Sequence, residues 1–303
     1  MKTLWGDIPV FDAHVHFFSR AFFESLAETK RTSVEALGAI LGWEMPPSDP
    51  GQLARQWAAE LNRHGVERAA LMASVPGDES SVATAIADFP EKFSGYFLCD
   101  PLAPELPARL QRAFDSGLRG VCLFPAMQRY SMHDERVRPV FEMASRLSGA
   151  IVFVHCGVLS VGVRKKLGLP SRFDMRFSNP VDLHAIALEF PGLNFVVPHF
   201  GAGYLRETLM LADLCPNVYL DTSSSNSWIR YQPVALDLKT VFRRALDVAG
   251  AQRLLFGSDP SFFPRGWNAE IFMRQSEILH ELGIGEMDVR QILGGNLARI
   301  LNC

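Results

Sequence analysis

Residues 151–155 read IVFVH, an unbroken apolar run closed by His155. A run apolar at every position and rich in β-branched residues suits a strand buried on both faces of a parallel sheet. The same form recurs as NFVVPH at 194–199, VYLD at 218–221 and RLLFG at 253–257. Working outward, eight such segments emerge: Ile8–Ala13, Arg68–Ser74, Ser94–Cys99, Gly120–Phe124, Ile151–His155, Asn194–His199, Val218–Asp221 and Arg253–Gly257.

Longer stretches with helical periodicity separate these runs: Gly51–His64, Asp78–Phe89, Glu105–Ser116, Asp134–Leu147, Asn179–Phe190, Gly203–Leu214, Leu236–Ala249 and Asn268–Leu282. Several close on a stop signal, as at Phe89-Pro90, Phe190-Pro191 and Cys215-Pro216. Eight strands, each followed by a helix, predict an α/β fold of the (β/α)8 TIM-barrel type. A doubly wound sheet is the alternative, but no G-x-G-x-x-G follows any strand. Two features distort the ideal pattern. One is an insertion after the first strand, residues 17–50. The other is an extra C-terminal helix, Met287–Leu301. A prior of about 150 residues per domain would divide 303 residues in two. The eight units use up the chain, so the expectation is one domain, 1–303. The insertion, with phenylalanines at 17, 18, 22 and 23, fits one face of a short helix and reads as a cap or lid over the barrel mouth.

Composition narrows the function. With 30 Lys+Arg against 33 Asp+Glu the net charge is -3, and no basic run exceeds three residues. A nucleic-acid partner has no electrostatic footing. The longest uncharged stretch, Leu147–Val163, is too short to span a bilayer and contains His155. The N-terminal residues lack the apolar core of a signal peptide. The cysteines (99, 122, 156, 215 and 303) are odd in number and form no C-x-x-C pair. Reduced thiols in a cytoplasmic protein are the expectation, with a small molecule as substrate and no membrane partner.

Four of eight histidines fall at or just beyond a predicted strand end: His14, His16, His155 and His199. Asp259 follows the eighth run. Barrel strands converge at their C-terminal ends, so these five side chains should meet at one mouth. Imidazoles with a carboxylate suit zinc or a similar divalent ion. In an extended segment residues i and i+2 share a side, so His14 and His16 can face one ion together.

The motifs FDAHVH, VHCG, PHFGAG, LLFGSD and GGNLARIL, in order from Phe11 to Leu301, resemble the amidohydrolase superfamily. They are most similar to the branch that includes aminocarboxymuconate-semialdehyde decarboxylase. The resemblance implies one divalent ion, usually zinc, held by His14, His16, His155 and Asp259. It implies an acid/base or water-positioning role for His199, and it allows a homodimer. One departure is informative: Cys122 stands in strand four where related sequences often carry a lysine, and no lysine occurs between Lys92 and Lys165. A carboxylated-lysine bridge between two metals is thus ruled out at that strand, and Cys122 reads as a small buried hydrophobe.

The chemistry these groups imply is hydrolysis of an amide, lactam, lactone or ester by a metal-activated water, with Asp259 taking the water's proton and delivering it to the leaving group. Nonoxidative decarboxylation of a small unsaturated or aromatic acid uses the same parts. A metal-independent lactonase and a non-catalytic binding scaffold are further alternatives. For substrate contacts the candidates are Arg265, Arg129, Asn226 and Trp228, all in loops after strands. Each has a plain alternative: loop arginines bonded to carbonyls, and loop polar groups satisfying loop backbone. His64, His184 and His280 read as structural.

Overall fold

A computed structural model describes residues 1–159, 161–170 and 173–303. Its centre is a sheet of eight parallel strands: β1 (Phe11–Phe17), β2 (Arg68–Ala73), β3 (Phe93–Leu98), β4 (Gly120–Leu123), β5 (Ile151–Val154), β6 (Asn194–Val197), β7 (Val218–Asp221) and β8 (Leu254–Leu255). Each pairs with the next in chain order. Across the remaining seam, backbone bonds run from Ala13 N to Phe256 O (2.9 Å), Asp259 N to His14 O (3.1 Å) and His16 N to Pro260 O (3.0 Å). Hence the sheet is a nearly closed barrel.

Strand period sorts the side chains into two cores. Ala70, Met72, Tyr96, Leu98, Cys122, Ile151, Phe153, Val196, Tyr219 and Leu255 fill the interior. Their neighbours, such as Leu71, Phe97, Val121, Val152, Phe195 and Leu220, pack outward against the helices. Leu297, Ile300 and Leu301 of the C-terminal helix join Phe11 in the interior cluster, at the end where the strands begin. Function is left to the opposite end.

Several boundaries move. The first strand was expected over Ile8–Ala13 but runs Phe11–Phe17, so both histidines of H-x-H lie within it. Pro9 has no N–H for a ladder, and Ile8 bonds instead to Met1. Phe17 therefore ends a strand and does not belong to an insertion helix. The insertion forms two helices, α1 (Arg20–Lys30) and α2 (Val34–Leu41). Their apolar residues Phe23, Leu26, Leu37 and Leu41 cluster with Val163 and Leu167 from the segment after β5. The segment after α2 touches the loop after β8: Trp43 stacks on Phe262 with centroids 3.9 Å apart, and Glu44 N donates to Phe263 O. The expected helix at 179–190 begins as a 3-10 turn, Pro180–Leu183. The expected helix at 134–147 shortens to Arg138–Ala144. The last helix carries a wide turn at Gln291–Gly295, where Ile292 O accepts from Phe256 N of the barrel.

Among the described residues no helix is long and apolar enough to cross a membrane. All five cysteines are free, four of them buried. Cys122 is an interior barrel residue, and burial pushes its thiol well above the usual range.

Candidate active site

Three donor atoms converge at the C-terminal end of the barrel. His14 Nε2 and His16 Nε2 are 3.4 Å apart, and Asp259 Oδ1 lies 3.8 Å from the first and 3.3 Å from the second. Among the described residues, these three form the group whose ligand atoms all fall within 4.8 Å of one another. Their other atoms fix the protonation. His14 Nδ1 is 2.7 Å from Asp221 Oδ2, a buried acceptor, so Nδ1 carries a proton. His16 Nδ1 is 2.7 Å from Ser74 Oγ, whose own proton goes to Met72 O at 3.0 Å. Ser74 must therefore accept, and His16 Nδ1 must donate. For neutral rings this leaves two imidazole lone pairs and a carboxylate oxygen pointing into one small space. Unscreened, these would repel; a shared cation resolves the arrangement, and the donor set fits a divalent metal.

The electrostatics show the same crowding. Burial resists a charge on His14, but the Asp221 carboxylate, with Asp259 and Asp12, pushes its pKa up to about 9. Burial would raise Asp259; the hydrogen bond with His16 and the nearby His14 and His199 rings hold it well below the usual carboxylate range. Burial lowers His16, with His14 and Arg265 adding to the effect.

His155 and His199 flank this cluster. The His155 ring stacks on Phe124 at 5.2 Å and meets His199 at 5.4 Å. It is buried, lies outside the three-atom cluster, and makes no hydrogen bond through its ring to a described residue. Burial first, then His199 and His14, lower its pKa well below the usual value, keeping it neutral and able to ligate. The His199 ring lies 5.2 Å from His14, and its Nδ1 faces Ser223 O (3.2 Å) and Ser223 Oγ (2.9 Å). Burial also lowers His199. Its backbone sits at φ 55°, followed by Phe200 at 51° and Ala202 at 44°, a left-handed run that costs strain in non-glycine residues. Glycine brings the two histidine loops together: at Gly157, φ 75°, a Cβ would lie 2.1 Å from Gly201 O.

The proposed substrate contacts divide. Arg265 is exposed, its guanidinium 4.5 Å above the Phe262 ring, with long bonds to Ser261 Oγ (3.3 Å) and Asp259 O (3.5 Å). Arg129 is exposed in the left-handed turn that ends the short helix after β4, within electrostatic reach of Asp174. Asn226 and Trp228 take loop-building parts instead. The Asn226 amide donates to the carbonyls of Thr222, Ser223 and Ser224 and accepts from Trp228 Nε1, and the Trp228 ring is buried in the outer core. Their hydrogen-bonding groups thus find partners within the loop. His64 pairs with Glu60, and His280 meets the Trp5 ring, both away from the cluster.

Sequence reasoning passed over Asp12, Ser74, Asp221 and Ser223. Asp221 carried a usable signal: it is a polar residue closing an apolar strand at the same end as the histidines.

Fold comparison places the chain among barrels of this kind. An uncharacterized TIM-barrel protein from Bordetella bronchiseptica matches with a TM-score of 0.67 at 22% identity, covering 97% of this chain and 99% of that one. An amidohydrolase from Burkholderia multivorans, solved with bound zinc, matches at 0.64 with 17% identity, covering 97% and 99%. A probable 2-pyrone-4,6-dicarboxylic acid hydrolase from Acinetobacter baumannii matches at 0.62 with 15% identity, covering 98% and 100%. Among curated proteins, Protein fluG of Emericella nidulans is 34% identical over 88 residues, 29% of this chain; the match spans only 10% of that relative. A family model described as Amidohydrolase fits residues 11–303 and thus takes in every side chain of the cluster. The chain belongs to the amidohydrolase family.

Proposed function

We propose that the protein is a metal-dependent hydrolase of a small carbonyl compound, an amide, lactam, lactone or ester. The observation that carries this reading is the convergence of His14 Nε2, His16 Nε2 and Asp259 Oδ1, with the two Nδ1 protons pinned from behind by Asp221 and Ser74. These three residues and His155 would hold one divalent ion, and the histidine-rich donor set favours zinc. When bound, such an ion supplies Lewis acidity to a carbonyl oxygen and to a water.

The chain's own groups supply the rest. Asp259 presents Oδ1 to the histidines and is 28% exposed, so its carboxylate is reachable from the mouth. It takes the proton of the attacking water and returns it to the leaving group. His199, held at Nδ1 by Ser223, orients the water or the developing oxyanion. The insertion, stacked through Trp43 on the loop after β8, forms a wall beside the mouth that limits water. Arg265, without a carboxylate partner among the described residues, binds an anionic group of the substrate. Five free thiols suit a reducing, cytoplasmic setting.

Chelator-stripped protein is expected to lose hydrolysis of its substrates in a panel of amides, lactams, lactones and esters, and added zinc to restore it. Full activity without metal would overturn the mechanism; release of carbon dioxide without uptake of water would replace hydrolysis with decarboxylation. Within the panel, Arg265→Gln should raise KM for anionic substrates by roughly tenfold or more, the scale of one lost charge-assisted bond. Neutral analogues should be unaffected. An equal rise for neutral analogues would remove Arg265 from substrate binding.

A further inference from the structure

The buried end of β7 joins two histidines that the mechanism treats separately. Asp221 and Ser223 are both 0% exposed. Asp221 uses its two oxygens on different partners: Oδ2 faces His14 Nδ1 at 2.7 Å, and Oδ1 accepts from Ser223 N at 2.7 Å. Ser223 Oγ then stands between two rings, 3.0 Å from His14 Nδ1 and 2.9 Å from His199 Nδ1. His14 Nδ1 already carries the proton given to Asp221, so it offers Ser223 no acceptor. The hydroxyl is therefore free to serve His199.

The surroundings hold this bridge in place. At Gly257, just past the end of β8, a Cβ would lie 2.8 Å from Asp221 Oδ1, 2.9 Å from Ser223 Cβ and 3.0 Å from His14 Cβ, so a larger residue would crowd all three. Gln275, buried on the helix Ala269–Glu281, donates to Thr222 O at 2.8 Å and accepts from Thr222 Oγ1 at 2.7 Å, fixing the residue between Asp221 and Ser223.

We infer that Asp221 and Ser223 are a positioning pair: Asp221 commits His14 to present Nε2 to a metal, and Ser223 ties the orientation of His199 to that same carboxylate. The inference rests on the reading of His14 as a metal ligand. Neither residue contacts substrate. The pair sets how two chemically active rings face the mouth, and does so through one buried carboxylate.

The substitutions separate the two halves. Asp221→Asn keeps the shape but has one acceptor where two donors, Ser223 N–H and His14 Nδ1–H, require two. Zinc affinity, measured by competition with a chromophoric chelator, should fall 10- to 100-fold, the usual effect of losing an outer partner of a ligating histidine. In proton–nitrogen spectra the downfield His14 Nδ1–H, present in the wild type with and without zinc, should disappear. Ser223→Ala should leave zinc affinity within about twofold and the His14 resonance in place, because Asp221 remains. The His199 ring resonances should move. Unchanged zinc affinity and an intact His14 Nδ1–H in Asp221→Asn would overturn the first half; His199 resonances unmoved by Ser223→Ala would overturn the second. Failure of the wild type to bind zinc would overturn the metal reading itself, while the Nδ1–H signals still report whether the pair orients the rings.

Discussion

Zinc is expected to leave the protein when His16 is replaced by alanine and to stay when His199 is. The apparent binding free energy of a four-ligand zinc site is about 10–16 kcal/mol, so each donor is worth about 3 kcal/mol, or ~10²-fold in affinity. His16 is the cleaner test of the two histidines in the cluster. It is 19% exposed; its removal frees the Ser74 hydroxyl, which keeps its bond to Met72 O, and Asp259, which is itself 28% exposed. Replacing His14 would also leave Asp221 buried without its imidazole partner, and the stability cost of that carboxylate would blur the metal readout. His155→Ala should weaken zinc as His16→Ala does, since its ring has no hydrogen-bond partner to account for its burial among described residues. His199→Ala should retain zinc within a few-fold and lose about 10²–10⁴ in kcat, the scale of a positioned acid or base. Metal content by atomic spectroscopy, with kcat on the same samples, checks the series. Should His199→Ala release the ion while His155→Ala retains it, the two roles must be exchanged.

The architecture was legible because barrel strands advertise themselves twice. IVFV is apolar at every position and NFVV at all but its first, as suits doubly covered strands, and a histidine follows each within two residues at the same pole. That regularity located His155, His199 and Asp259 before any contact was known. What escaped was chemistry that depends on partners far apart in sequence. Asp221 meets His14 across 207 positions and Ser258 meets Asp12 across 246, and no local pattern records either pair. Asn226 and Trp228 show the same limit at short range. Their residue types suit a binding loop, but a left-handed turn at Asn226, φ 51°, needs its amide to close on the preceding carbonyls. The first strand starts later than its apolar residues Ile8 and Val10 suggest, because the proline between them cannot join a ladder.

Asp12→Ala is expected to cost about 3–5 kcal/mol of stability, the largest single loss outside the hydrophobic core, because of where this carboxylate stands. Strands β1 and β8 share no regular ladder, so the barrel seam relies on three backbone bonds and on Asp12. Its Oδ1 accepts from His14 N at 3.0 Å and Ser258 N at 3.1 Å; its Oδ2 accepts from Ser258 Oγ at 2.5 Å and Trp267 Nε1 at 2.7 Å. Alanine strands these donors in a fully buried place, each worth roughly 1–3 kcal/mol if left unpaired. Relief from burying the carboxylate, whose pKa burial pushes up to about 6, offsets part of that sum. At ~2–4 °C per kcal/mol the melting temperature should fall by about 10 °C. The surface pair Asp134–Arg136 supplies the contrast: removing it should leave the melting temperature almost unchanged despite a 2.6 Å contact, because solvent screens it. Asp12→Ala should also speed hydrogen exchange at the Ala13, His16 and Asp259 amides, which cross the seam, more than at amides within β5 and β6. Opening there separates His14 and His16 from Asp259, so zinc affinity should fall along with stability although Asp12 touches no metal. A melting temperature within 2 °C of wild type and uniform exchange would show that the three backbone bonds close the barrel without the carboxylate.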